Sequence, residues 1–295
     1  MIEFRRMLDA FYQAGIEVWL DVVFNHTAEL DDFGPAEHFK LLGREDWYLL
    51  SKDGEFMNLS GCGNTFKCAG PGVRRMIRDS LVYWAQNLGV DGFRFDLASI
   101  LERDRNGNFY QGSELLWELK NDPELAGIKM IAEPWDAVGG YRLGYPSKNA
   151  DWAEWNDFFR DTVRKAVRGD EGQMTALKEA ILGSPGKFGS TEKSREFSIN
   201  FITSHDGMTL NDLVSYNHKH NLENGEENRD GHNSDFSFNC GVEGPTQDAE
   251  VLELRRRKIK LMHFILQVSN GIPMIFAGDE MLRTQLGNNN AYCHD

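Results

Sequence analysis

Five short, nearly continuous apolar runs set the strongest limit on how this chain folds: "IEVWLDVVFN", "VDGFRFD", "IKMIAE", "FSINFITS" and "IPMIFAGDE", with a weaker sixth at "WAEW". Stretches of helical periodicity stand between them. Phe4, Met7, Leu8, Phe11 and Tyr12 follow the spacing of an amphipathic helix that Gly15 is placed to stop. "PGVRRMIRDSLVYWAQNLG" reads as a second, with Pro71 near its start and Gly89 just past its end. "SELLWELKND", "NDFFRDTVRKAVRG", "MTALKEAIL" and a long segment over 251–268 supply further helices. Strands buried on both faces read as unbroken apolar runs, and their alternation with helices predicts an α/β fold with a covered parallel sheet. Two long polar segments, 27–70 and 217–249, interrupt the pattern. Loops of such length in a compact domain are functional or disordered, and α/β barrels build their sites from loops at the C-terminal strand ends.

The stretch "GFRFDLAS" sharpens the question of chemistry. Side chains two apart on a strand share a face, so Arg94 and Asp96 point together, opposite Phe93, Phe95 and Leu97. Other predicted strands also end in polar groups: Asp21, Asn25 and His26 in "DVVFNHT", Glu133, Trp135 and Asp136 in "AEPWD", His205 and Asp206 in "TSHDG", and the final "AGDE". Polar endings at the same end of one sheet are expected to converge Asp96, Glu133 and Asp206 with His26, His205 and Arg94. Three carboxylates suit acid–base and nucleophilic work on an uncharged, hydroxyl-rich substrate. A neighbouring arginine favours an ionised nucleophile. An acid flanked by Ala132, Pro134 and Trp135 is expected to keep its proton near neutrality.

Charge and composition exclude several classes. Against 46 Asp and Glu stand 32 Lys and Arg, a net charge of −14, which argues against nucleic acid or an anionic membrane as partner. No apolar run approaches the ~20 residues of a membrane span, and "MIEFRRMLDAFYQAG" lacks the pattern of a signal peptide. Cys62, Cys68, Cys240 and Cys293 are too few and too scattered for a disulfide framework, so the cytoplasm is the expected compartment. No metal site or cofactor is expected: the Cys62–Cys68 and His218–His220 spacings do not make a zinc motif. Trp47, Tyr48, Phe56 and Phe66 in the first long segment serve equally as sugar platforms or as packing within the loop.

"DVVFNH", "GFRFD", "IAEPWD" and "FITSHDG", in this order, resemble the four short regions of the α-amylase superfamily of glycoside hydrolases, family 13. "GCGNT" at 61–65, "AEWNDFFRD" at 153–161, "NGEENRDG" at 224–231 and "GNNNAYCHD" at 287–295 narrow the likeness to the isoamylase and glycogen-debranching branch. So does Gly207, where ordinary α-amylases usually carry Asn. The resemblance implies a (β/α)8 TIM barrel acting on a branched α-glucan by retaining hydrolysis of α-1,6 linkages. It assigns Asp96 as nucleophile, Glu133 as general acid and then base, and Asp206 as the group that binds and distorts the reactive sugar. It gives His26 and His205 hydrogen bonds in the same subsite, Arg94 the orientation of Asp96, Asp21 a structural place and Trp135 a platform beside the cleaved bond. A transferase, or a hydrolase of α-1,4-glucan, uses the same carboxylates. Against the family pattern, residues 1–295 read as one partial barrel domain holding strands three to eight, without the first two strands, the last helix or the flanking β-sandwiches. As an isolated piece this chain is therefore expected to be poorly soluble and weakly active or inactive.

Overall fold

A computed structural model describes residues 2–294, which divide into two compact units meeting between Trp155 and Asn156. The expected strands and helices form. β1 (Trp19–Val22), β2 (Gly92–Phe95), β3 (Lys129–Ala132) and β4 (Ala153–Asn156, of which Ala153–Trp155 belong to the first unit) pair in that order, each pair parallel. The weak "WAEW" signal is thus a strand. In the second unit, β5 (Ser198–Phe201) pairs in parallel with β6 (Ile272–Met274). The chain is an α/β protein with parallel strands. Among the described residues no helix is long and apolar enough to cross a membrane.

Register decides which residues meet. Asp21 is the Cα partner of Arg94, and Phe95 of Ala132, so Asp96 and Glu133 stand side by side just past the ends of β2 and β3. Gly92 permits the close approach that starts this register: a Cβ there would lie 2.8 Å from both the Lys129 carbonyl oxygen and the Trp19 ring. Phe93 and Phe95 are fully buried, and Phe95 stacks on Trp152 at 4.4 Å between ring centroids. Their core also takes Val73, Ile77 and Leu81 from the helix Pro71–Val82 and Leu115, Leu116 and Leu119 from Glu114–Asn121. Pro71 opens the first of these helices, which continues as a π-helical turn over Tyr83–Leu88 and ends at Gly89, φ +86°. The second unit has its own core, in which Phe159, Val163 and Val167 of the helix Asp157–Arg168 pack with Ile259, Met262 and Leu266 of Ala249–Val268. Asn156 and Asp248 cap these two helices, accepting from the Phe159 N–H and from the Glu250 and Val251 N–H groups.

The first long polar segment is ordered by a buried carboxylate. Glu29, 3% exposed, accepts from the N–H groups of Glu37, His38, Phe39 and Lys40 at 2.8–3.1 Å and from the Tyr48 hydroxyl. It thereby satisfies the open N-terminus of the helix Phe39–Trp47, whose own N-cap residue, His38, makes no side-chain cap. Trp47 and Phe66 pack on Phe39 and on each other, and Tyr48 packs edge-on against Phe66 and Phe56, so all four aromatics have partners within the loop. Burial works against the Glu29 charge, but Tyr48 and the converging N–H groups outweigh it and lower its pKa from 4.5 to about 2. A depressed carboxylate stabilises the fold fully above its unfolded value and loses that contribution as pH falls through the folded one. Glu29→Gln is therefore expected to cost about 3 kcal/mol near pH 7. The difference from wild type should close as pH falls from 4.5 toward 2, which urea unfolding across that range measures.

Candidate active site

Arg94 is the centre of the site in the first unit. It is 6% exposed on β2, and its guanidinium lies 4.2 Å from the Trp155 ring centroid. Nη1 donates to Asp21 Oδ1 and Oδ2 at 2.8 and 3.0 Å and to Asp96 Oδ1 at 3.0 Å. Nη2 lies 2.8 Å from Glu133 Oε2. One planar cation thus joins three carboxylates from three adjacent strands. Burial opposes its charge, yet Glu133, Asp21 and Asp96 together raise its pKa above the ordinary arginine value.

Asp96 follows β2 directly, and its N–H still pairs with the Val22 carbonyl at 3.1 Å. Its Oδ2 accepts from Asn25 Nδ2 at 2.7 Å, and its side chain remains 23% exposed. Both carboxylate oxygens are therefore held, one by a cation and one by an amide, while the group keeps access to solvent. The next residue, Leu97, takes φ +41°, which for a branched side chain is a strained left-handed turn. That turn aims the Leu97 N–H at Glu133 Oε2, 2.8 Å away.

Glu133 is 2% exposed and follows β3. The sequence suggests an apolar pocket for it, and Ala132 and Pro134 are indeed buried beside it. The pocket is not apolar on all sides, however: Arg94 and the Leu97 N–H both lie at Oε2. The cause is the register, which sets Asp96 and Glu133 at the same level around Arg94.

His26 lies beside Asn25, which is fully buried. Since Asn25 Nδ2 donates to Asp96, its Oδ1 is the acceptor facing His26 Nδ1, which fixes the proton on Nδ1. Burial holds the imidazole below its ordinary pKa against the pull of Asp96. Neutral His26 therefore offers Nε2 as an acceptor to a hydroxyl, and as a donor once protonated. "GCGNT" has a role in placing this residue: Asn64, fully buried, accepts from the Thr27 N–H and donates to the Thr27 and Leu30 carbonyls.

Trp135 is half-buried and pairs through an isolated bridge with Tyr141. The buried Asp136 beside it accepts from Ser99, Gly140, Val138 and Arg103, a structural role that braces the loop after β3. The same loop is tied by Arg142, whose Nη2 lies 3.0 Å from Glu102.

His205 and Asp206 belong to the second unit, in the turn that follows β5. Their side chains are 49% and 54% exposed, and His205 Nε2 lies 3.6 Å from Asp206 Oδ2. In the second long segment His220 lies 3.2 Å from Glu243, and Lys219 donates to the main-chain carbonyls of residues 229–231. The structure thus brings Asp21, His26, Arg94, Asp96 and Glu133 together in the first unit. Asn25, which the sequence offers at a strand end without assigning it a role, and Trp155, which it does not single out, complete that cluster. Asn25 lies inside "DVVFNH" and Trp155 inside "AEWNDFFRD", so the motifs marked both positions without showing what they touch.

No protein-family model matches the chain. Over 99% of its length it is 45% identical to maize (Zea mays) chloroplastic isoamylase SU1, and over its full length 44% identical to a glycogen operon protein GlgX homolog of Haemophilus influenzae. It spans 40% and 45% of the lengths of these relatives. A pullulanase from Anoxybacillus sp. LM18-11 superposes on 99% of the chain with a TM-score of 0.72 at 28% identity, over 37% of its own length. Pullulanase type I from Bacillus subtilis, solved with maltose, gives a TM-score of 0.71 at 26% identity, over 98% of the chain and 37% of its own length.

Proposed function

We infer from membership in the α-amylase superfamily, in its isoamylase and glycogen-debranching branch, that this chain carries catalytic machinery of a debranching glycoside hydrolase. In this reading β1 to β6 are strands three to eight of the family's (β/α)8 barrel, and the substrate is a branched α-glucan cleaved at α-1,6 linkages. The observation that carries it is the Arg94 guanidinium shared by Asp96 and Glu133. A retaining mechanism needs two carboxyl groups close together on either side of the cleaved bond, one to attack and one to protonate.

Asp96 Oδ attacks the anomeric carbon as the bond to the leaving O6 breaks, and Glu133 delivers its proton to that oxygen. A covalent glycosyl ester on Asp96 results. Water then attacks the same carbon, Glu133 takes the water's proton, and the ester bond breaks to regenerate Asp96 with the anomeric configuration retained. With Oε2 beside Arg94 and Leu97, Oε1 is the Glu133 atom assigned to proton transfer. Asn25 and Arg94 hold Asp96 in place for attack, Asp206 and the two histidines bind hydroxyls of the reactive sugar, and Trp135 offers a ring beside the cleaved bond. No step calls for a metal or a cofactor. Incubating the full-length protein with glycogen or amylopectin should release linear chains. New branches, or internal cleavage of unbranched amylose, would overturn this reading.

A further inference from the structure

The turn carrying Asp206 rests on a network of asparagine side chains within the second unit. Gly207 adopts φ +92°, and a Cβ there would stand 3.0 Å from Asp235 Oδ1. The space that a side chain at 207 would take is thus held by the Asp235 carboxylate, which gives the glycine its physical reason. The Gly207 N–H donates to the main-chain carbonyl of Asn289 at 3.0 Å. Asn289 is 1% exposed and uses its whole amide: Nδ2 donates to Asp235 Oδ2 at 2.6 Å and to the His232 carbonyl at 2.8 Å, while Oδ1 accepts from Asn221 Nδ2 at 2.8 Å. Asn221 Oδ1 returns the contact by accepting the Asn289 N–H at 3.0 Å. Arg164, itself 6% exposed, fixes Asp235 from the other side through its main-chain carbonyl at 3.1 Å. A further layer joins Asp230 to Asn224 and Asn290, and Asn224 to Asn288.

A buried polar network with its groups paired admits one geometry and resists others. Asp206, with its side chain 54% exposed, depends for its aim on the backbone turn beneath it. We propose that Asn289, paired with Asp235 and Asn221, is a positioning residue that sets the Gly207 turn and thereby the orientation of the Asp206 carboxylate. The proposal rests on the reading of Asp206 as the group that binds the reactive sugar. It also supplies a physical task for the motifs at 224–231 and 287–295: they close the network from two distant parts of the chain.

Asn289→Asp in the full-length protein tests this. The substitution is nearly isosteric and keeps both the acceptor for Asn221 and the carbonyl for Gly207, but it sets a carboxylate against Asp235. Turnover per folded molecule on branched glucan should fall about 30-fold with KM changed less than about threefold, as expected when a group whose contact with the sugar strengthens in the transition state is misaimed rather than lost. Adding Asp235→Asn restores a donor–acceptor pair and should recover about tenfold of that loss. In an Asp206→Asn background, Asn289→Asp should have no further effect on kcat/KM. Folded Asn289→Asp with wild-type kcat, or an equal loss in both backgrounds, overturns the proposal. Should Asn289→Asp fail to fold, Asn221→Ala must show the same kcat loss in folded protein, and wild-type kcat there also overturns it. Full activity of Asp206→Asn alone would instead remove the underlying reading of Asp206, and the proposal with it.

Discussion

Asp96→Asn in the full-length protein is expected to lower turnover on branched glucan by at least about 10⁴-fold, the scale on which enzymes respond to losing a covalent nucleophile. The amide keeps the shape of the carboxylate and retains an oxygen for Arg94 Nη1, so the fold should persist. It removes the anionic electron pair that forms the glycosyl ester. Steady-state release of linear chains measures the effect, and circular dichroism establishes that the variant is folded. Activity within about tenfold of wild type would take Asp96 out of the nucleophile's role.

Arg94→Met carries the second large effect, and here stability leads. The arginine is 6% exposed and stands among Asp21, Asp96 and Glu133, of which Glu133 is 2% exposed. Removing one side of a buried ion pair leaves the other uncompensated, at a cost of about 3–5 kcal/mol. Methionine preserves the packing against Trp155, which separates charge from volume. Denaturant unfolding should therefore show a large drop in midpoint, with turnover lost in the folded remainder. Arg94→Lys restores the charge as a point on a flexible stem, and it should recover part of the stability and little of the activity, because an ammonium cannot span Asp96 and Glu133 as the planar fork does. Stability of Arg94→Met within about 0.5 kcal/mol of wild type would show that the cluster is not held by this charge.

Much of the site was legible because its residues fall where strands end. The apolar positions of "GFRF" and "KMIA" mark strands entering the core, β2 buried throughout and β3 at Ile131 and Ala132, and their polar successors, Asp96 and Glu133, follow without a gap. What lay hidden depends on partners distant in the chain. Glu29 looks like an ordinary loop carboxylate until the N–H groups of residues 37–40 fold back onto it. Asn289 reads as one of three asparagines in a polar stretch, yet it meets Asp235 and Asn221 from 54 and 68 residues away. Local periodicity carries no information on such pairings, because their enthalpy is decided by tertiary closure.

By itself the sequence determined the order of strands and helices, the face shared by Arg94 and Asp96, and the placing of carboxylates just past the strand ends. Those follow from side-chain alternation and apolar patterning, both local properties. Tertiary structure alone decided that Asp21 is the Cα partner of Arg94 and that Asp96 and Glu133 stand level beside one guanidinium. The period of two along a strand settles which face a residue occupies, but slipping a neighbouring strand by two residues preserves every face and separates these groups by nearly 7 Å. Close packing at Gly92 and the buried charges themselves select the one register in which the site exists.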